Sequence, residues 1–222
     1  MSTLHTRGML ERELEHIRSD ILRMGSQVES AIERSIESLK NRDTQLAQQV
    51  INDDEEINKL RFAIEEQCLE LLATQQPAAT DLRVVIAATH IAVELERMAD
   101  HAEGTAELVK RLSDEPLLKP LIDIPIMGQV AREMIHAALD AFVAHDAEAA
   151  QKVALRDDEI DALYQQVFRE LLTYMLEDPR TISRATYLLW VAHNLERIGD
   201  RVTNVCERII FMATGKLEEL QA

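Results

Sequence analysis

One short motif occurs twice in this sequence, a hundred positions apart. It reads LERMAD at Leu95–Asp100 and LERIGD at Leu195–Asp200. On an α-helix, a Glu and an Asp four residues apart lie on one face, about 40° apart around the helix and about 6 Å apart along it. Each copy of the motif therefore places two carboxylates side by side.

Both carboxylate pairs interrupt a helix face that is otherwise apolar. The first face carries Leu82, Val85, Thr89, Ala92 and Val93 before Glu96 and Asp100, and the second carries Ile182, Ala185, Leu189 and Ala192 before Glu196, Asp200 and Thr203. A carboxylate in a packing seam costs several kcal/mol unless something positive neutralises it. The fold must therefore supply a positive partner at two matched places.

The composition favours helix and excludes some partners. The chain has 222 residues with only six glycines and five prolines, and its 40 acidic and 24 basic residues give a net charge of −16. Such a charge repels nucleic acid and anionic lipid, and suits cations or basic protein surfaces. We therefore expect an all-α protein with no nucleic-acid partner.

The sequence also predicts a location in the cell. The longest apolar segment, residues 84–93, contains Thr89 and His90 and is too short to span a bilayer, and the first eight residues have no apolar core of a signal peptide. Cys68 and Cys206 occupy apolar helical positions, which is typical of reduced, packed thiols. We expect a soluble, cytoplasmic protein without membrane insertion.

The spacing of apolar residues predicts long helices. From Leu10 to Leu39 they recur every three or four positions over about four heptads, which is typical of a helix in a bundle. Asp43 is a candidate N-cap for a second helix, and a third is predicted from about Asp81 to Leu112. Residues 113–125 contain three of the five prolines and are predicted to be a connector.

The second half of the chain repeats the first. At an offset of 103, Met24-Gly25 aligns with Met127-Gly128, and three further matches are Asp43 with Asp146, Asp54 with Asp157, and Asn58 with Asp161. The LER motifs match at an offset of 100, because a turn of the second half is shorter. The sequence thus predicts two tandem, internally duplicated three-helix bundles with six long helices, the first over 1–112 and the second over 126–222.

In each half the second helix presents a further pair of polar side chains to the LER motif. The complete candidate set is Asp54, Asn58, Glu96 and Asp100 in the first half and Asp157, Asp161, Glu196 and Asp200 in the second. Carboxylates this close must take up protons, pair with arginine or bind a cation. Oxygen ligands suit Mg²⁺, Ca²⁺, Mn²⁺ or ferric iron.

Spacing alone leaves a metal site and a structural layer of ion pairs equally open. The ion pairs would come from Arg61, Arg83, Arg97, Arg156 or Arg197. The repetition of the pattern favours metal slightly, because a device that only fixes helix register need not recur with the same geometry.

Signals for an enzyme are weaker. Glu133 and His136 form a Glu-x-x-His pair, the spacing that bundle di-iron oxidases use twice, and His136 is expected at the surface or in packing. Trp190 is expected in the core. Since no nucleophilic constellation is visible, we expect no enzyme, with a carboxylate-bridged metalloenzyme as the alternative and an inert bundle as the third interpretation.

Several of these motifs, in this order, resemble the PhoU family of phosphate-uptake regulators. They are the doubled three-helix repeat, the Glu-x-x-x-Asp on each third helix, the Asp-x-x-x-Asp or Asn on each second helix, and the turn QPAATDLR at 76–83. The resemblance covers about residues 10–215. It implies two three-helix bundles that can carry metal ions, often as multinuclear clusters.

The resemblance also implies ligands, partners and a function. The implied ligands are Asp54, Glu96, Asp100, Asp157, Asp161, Glu196 and Asp200. Since Asn58 is a neutral amide, we expect the second site to bind metal more strongly than the first. The implied protein is a cytoplasmic homodimer that acts with the phosphate transporter ATPase PstB and the sensor kinase PhoR, and represses the phosphate-starvation response when phosphate is plentiful.

Overall fold

The computed structural model describes residues 2–217 and 220, with side chains from Arg7 onward. Within this range the chain forms seven α-helices and one short 3₁₀ helix, and no strand. The helices are α1 (Ser2–Asn41), α2 (Thr44–Gln75), α3 (Thr80–Leu112), α4 (Asp123–Ala144), α5 (Ala147–Ala154), α6 (Asp157–Glu177) and α7 (Ile182–Thr214), with the 3₁₀ helix at Pro179–Thr181 between the last two.

The predicted all-α, duplicated three-helix architecture is confirmed. The second helix of the second half differs from the prediction, because it is broken at Leu155 and Arg156 into α5 and α6. The first turn of α6 reads Asp157, Asp158, Glu159. Acidic side chains are favourable at a helix N-terminus, so the sequence itself favours a new helix start here. Of the described helices, none combines the length and hydropathy needed to cross a bilayer.

Both halves begin their second helix with the same cap. The Asp43 carboxylate accepts hydrogen bonds from the amides of Gln45 and Leu46 at 2.9 and 3.0 Å. Asp146 accepts from the amides of Glu148 and Ala149, both at 3.0 Å. The caps satisfy amides that have no partner within the helix, and they fix where α2 and α5 start.

The connector is shorter than predicted. It spans 113–122, and α4 begins at Asp123 instead of 126 because Pro125 fits in the first helical turn, where a missing N–H removes no hydrogen bond. The connector is held against the second half: the buried Lys119 pairs with Glu170, and Arg184 Nη1 donates to the Pro116 carbonyl at 3.0 Å.

The two bundles share one continuous apolar core. α3 packs along α7, and α1 packs along α4. At the second interface a Cβ on Gly25 would collide with Leu139, and a Cβ on Gly128 would collide with Ile36. These two contacts are related by the offset of 103, since Gly25 matches Gly128 and Ile36 matches Leu139.

The duplicated caps give a stability prediction. Replacing Asp43 or Asp146 by Ala should lower the free energy of unfolding by about 1 kcal/mol each, because two helix amides lose their acceptor. Asn at the same positions should retain most of the stability, since its carbonyl oxygen can accept both bonds. Urea unfolding checks this, and an Asn variant as unstable as the Ala variant would assign the effect to charge instead of capping.

Candidate metal centres

The candidate carboxylates lie in two helix seams. In the first half, α2 carries Asp54 and Asn58 against Glu96 and Asp100 of α3, and in the second half α6 faces α7 in the same way. Each seam is buried on one side and open to solvent on the other. Asp54 and Asp157 are buried, whereas Asp100 of the first seam and Asp161 of the second are exposed.

In the first half, three carboxylates converge. Asp54, Asp100 and Glu103 each place one oxygen within 4.8 Å of the others. Asp54 is 8% exposed; its Oδ2 accepts a hydrogen bond from Asn58 Nδ2 at 2.7 Å, while Oδ1 is buried without a partner. Asn58 thus holds one oxygen of Asp54 and leaves the other free for a ligand.

Glu103 is absent from the set of candidate residues that the sequence predicts. A signal was present, because Glu103 follows Asp100 by three residues and Glu96 by seven, so all three share one helix face. The equivalent residue in the second half is Thr203, which is buried with its hydroxyl unpartnered. Each half therefore has four carboxylates: the first has Glu103 but an amide at 58, and the second has Asp161 but a hydroxyl at 203.

Glu96 has a cationic neighbour. Arg61 on α2 makes an ion pair with Glu65 at 2.6 Å, and its other Nη lies 3.7 Å from Glu96. Glu96 does not belong to the group of three converging oxygens. It lies at the edge of the first cluster.

Asp157 is the most enclosed carboxylate of the second half. It is 1% exposed, and neither of its oxygens has a hydrogen-bond partner. A Cβ on Gly199 would collide with Asp157 Oδ1, whereas the first half has Ala99 at the matching position. Gly199 thus lets α6 approach α7 closely, which explains why Asp157 is more deeply buried than Asp54.

The other three members of the second cluster are more dispersed. Asp200 pairs with Arg197 at 2.5 Å. His193 Nδ1 lies 3.2 Å from Glu196 Oε2, but the geometry is not that of a hydrogen bond, and this oxygen is buried without a partner. Among the residues that the structure describes, this half has no three acidic, His or Cys ligand atoms within 4.8 Å of one another.

Burial and mutual repulsion favour protonation in both clusters. Burial, together with the charges of Glu103 and Asp100, raises the pKa of Asp54 to about 6. Burial, together with Asp200, Asp161 and Glu196, raises the pKa of Asp157 to about 7. The pKa values of Glu103, Asp161 and Glu196 are also raised, in each case mainly by burial. A cation would stabilise the ionised forms of the same groups.

The geometry separates the two interpretations residue by residue. Arg61 lies next to Glu96, and Arg197 pairs with Asp200, as an ion-pair layer predicts. Asp54 and Asp157 have no such partner, and each has a buried oxygen that accepts no hydrogen bond. Carboxylate oxygens free of other partners are the donor set that a hard divalent or ferric ion requires, so the residues present fit such an ion.

Five further residues for which the sequence makes predictions lie outside the clusters. Glu133 pairs with Arg156 at 3.0 Å, and His136 is an exposed residue 3.4 Å from Glu29, so neither belongs to a carboxylate cluster. The prediction that Trp190 lies in the core is wrong, because its side chain is 47% exposed. Cys68 and Cys206 are buried free thiols, as predicted.

Fold and site together define a class: an all-α protein of two duplicated three-helix bundles, with an acidic cluster between the second and third helical segments of each. Comparison with known proteins identifies the family. The PhoU domain family matches the chain over residues 21–109 and again over 124–209, once in each half. The chain belongs to the PhoU family.

The relatives match nearly the whole of this chain. A phosphate-specific transport system accessory protein PhoU homolog of Clostridium acetobutylicum is 40% identical over 97% of this chain and 99% of its own length. The crystal structure of PhoU from Pseudomonas aeruginosa matches with a TM-score of 0.88 at 38% identity, covering 93% of this chain and 99% of that one.

A second solved structure agrees. The phosphate transport system regulatory protein PhoU from Streptococcus pneumoniae matches with a TM-score of 0.89 at 32% identity, over 95% of this chain and all of that one. The relatives are thus named as accessory or regulatory proteins of phosphate transport.

The raised pKa of Asp157 predicts how metal-free stability depends on pH. Between its ordinary value near 4 and its folded value of about 7, the folded state binds more protons than the unfolded state. The free energy of unfolding should therefore fall as pH rises through this window, by about 4 kcal/mol at most from this one group.

Urea unfolding with a chelator between about pH 4 and pH 7.5 measures this slope. Asp157→Asn, which cannot ionise, should make the slope shallower, whereas Asp114→Asn in the exposed part of the connector should leave it unchanged. Equal slopes for the wild type and Asp157→Asn would show that Asp157 titrates as an ordinary aspartate.

Proposed function

We propose that this protein is a metal-binding negative regulator of phosphate uptake and of the phosphate-starvation response. In this proposal it is a cytoplasmic homodimer that acts as an adaptor between the phosphate transporter ATPase PstB and the sensor kinase PhoR. The observation that carries the proposal is the match, over nearly the whole chain, to proteins named as phosphate-transport accessory and regulatory proteins. The partners, the dimer and the direction of regulation follow from the family resemblance.

The two clusters support the metal-binding part of the proposal. In the first half Asp54, Asp100 and Glu103 would hold the ion, with Glu96 and Asn58 at the edge. In the second half Asp157, Asp161, Glu196 and Asp200 would hold it. An ion at either place would neutralise buried charge and join the helical segments of its seam. We infer a regulatory instead of a catalytic role, since the relatives are named as accessory proteins and the Glu133–His136 pair lies outside the clusters.

The proposal predicts that metal stabilises the fold through both clusters. A hundredfold excess of Mg²⁺ or Mn²⁺ over its dissociation constant should raise the free energy of unfolding by about 2.7 kcal/mol per independent site. Asp54→Asn with Glu103→Gln should abolish the first-half gain and, by removing repulsion, melt higher than the metal-free wild type.

The second-half variant, Glu196→Gln with Asp200→Asn, should behave in the same way, whereas Glu107→Gln, an exposed glutamate one turn beyond Glu103, is the matched control. Thermal unfolding with and without metal measures all of them. If the paired variants still respond fully to metal, or melt below the metal-free wild type, their carboxylates are structural ion-pairing groups.

The regulatory part is tested in cells. A strain lacking the gene should express a phosphate-starvation reporter at high phosphate, and the wild-type gene should restore repression. Asp54→Asn with Asp157→Asn should fail to restore it, while Glu107→Gln should succeed. Normal repression in the deletion strain would overturn the regulatory function; full repression by the double variant would show that signalling does not need the ions.

A further inference from the structure

The two carboxylate clusters differ in the side chain that lies next to their glutamate. In the first half an Nη of Arg61 lies 3.7 Å from Glu96. In the second half Glu196 has His193 beside it on α7, where the first half has Val93 at the matching position. An arginine stays charged and has no acceptor nitrogen, whereas a neutral imidazole is a common metal ligand. The second cluster therefore has a nitrogen donor at the place where the first has a fixed cation.

His193 and Glu196 are arranged like two ligands of one ion. Nδ1 of His193 lies 3.2 Å from Oε2 of Glu196, yet this oxygen accepts no hydrogen bond and is buried. Two ligands that bind one ion at about 2.1 Å, at right angles to each other, lie about 3 Å apart. The imidazole itself is half-exposed, so an ion can reach it from solvent.

Tyr164 of α6 holds the imidazole at the cluster. Its ring centroid lies 6.1 Å from that of His193, and the two ring planes are tilted by 47°. Such an aromatic contact limits the rotation of the imidazole. Partners that orient a ligand raise its affinity for metal. This contact is specific to the second half, because the matching positions of the first half are Arg61 and Val93.

Carboxylates from both helices surround this pair. Asp200 follows Glu196 by four residues on the same face of α7, and Asp157 faces α7 from α6 with both oxygens buried and unpartnered. Burial raises the pKa of Glu196, and so do the nearby charges of Asp200 and Asp161. Asp200 pairs with Arg197, so an ion at Glu196 would compete with Arg197 for this carboxylate. The donors available to an ion are thus one nitrogen and several oxygens.

We propose that His193 is a nitrogen ligand of the second metal centre, and that this centre selects a first-row transition-metal ion. Imidazole suits Zn²⁺, Fe²⁺ and Ni²⁺, whereas Mg²⁺ prefers oxygen ligands and keeps several of its waters. The first centre, whose three converging ligand atoms are all oxygens, selects a hard ion such as Mg²⁺. This inference rests on the proposed metal-binding function and adds the class of ion that each seam selects.

The test compares Ni²⁺ with Mg²⁺ at each centre separately. Asp54→Asn with Glu103→Gln removes ligands of the first centre and retains the second, and Glu196→Gln with Asp200→Asn does the reverse. Isothermal titration calorimetry measures the dissociation constants of both ions on both proteins. The preference for Ni²⁺ over Mg²⁺ should be at least about tenfold greater at the second centre, because only this centre offers an imidazole.

His193→Gln then tests the ligand itself. In the protein that retains the second centre, it should weaken Ni²⁺ binding by at least about tenfold, since even the outer partners of a metal ligand are worth about 10–100-fold. Binding of Mg²⁺ should be unchanged. The matched control is His136→Gln, which replaces another exposed histidine outside both clusters and should change neither affinity.

Three results would overturn the proposal. Unchanged Ni²⁺ affinity in His193→Gln would show that the imidazole binds no ion. Equal weakening of Ni²⁺ and Mg²⁺ would show that His193 acts only through its contact with Glu196, as an ion-pair partner. Equal weakening of Ni²⁺ by His193→Gln and His136→Gln would assign the nickel to exposed histidines in general.

Failure of this inference can be separated from failure of the proposed function. If both centres bind metal but His193→Gln changes neither affinity, the ligand assignment is wrong and the metal-binding function stands. If the wild type binds neither ion, the metal-binding function is wrong and the inference falls with it. If the deletion strain represses normally while His193→Gln selectively loses Ni²⁺, the ligand assignment stands and the phosphate-regulatory role is wrong.

Discussion

The second half of the molecule is organised around one buried carboxylate. Asp157 is enclosed between α6 and α7 with no hydrogen-bond partner on either oxygen, which is costly for an ionised group. Its surroundings reduce this cost in two ways. The break after α5 places Asp157 in the first turn of α6, where the helix dipole favours an anion. The proximity of other carboxylates favours a bound proton or a bound cation.

The first half meets the same requirement with different residues. At the positions that match Asp161 and Thr203 of the second half, the first half has Asn58 and Glu103. Each half therefore has four carboxylates, but at partly different positions. The packing changes as well, because Ala99 in place of Gly199 leaves Asp54 less deeply buried. The two halves share the number of carboxylates in each seam, but not the residue type at every matching position.

Features that repeat in the sequence could be predicted, and features that depend on one close contact could not. The helices, the duplication and the Asp43 and Asp146 caps follow from local patterns, and the seams follow from apolar periodicity. The convergence of Glu103 with Asp54 depends on how α2 and α3 are rotated about their axes. The exposure of Trp190 depends on which helix packs beside α7, and periodicity alone could not decide it because apolar residues surround Trp190 in the sequence.

The reciprocal contacts of Gly25 with Leu139 and of Gly128 with Ile36 have a consequence for how such a chain could arise. Each half offers a glycine and a branched aliphatic residue, Ile36 or Leu139, at matching positions to the other, which is the geometry of an isologous interface between two identical subunits. The duplicated chain therefore resembles a homodimer joined by a covalent link, the connector at 113–122. Once joined, the two former subunits were free to diverge, so that the carboxylate of Asp161 in one acidic seam is matched by the amide of Asn58 in the other.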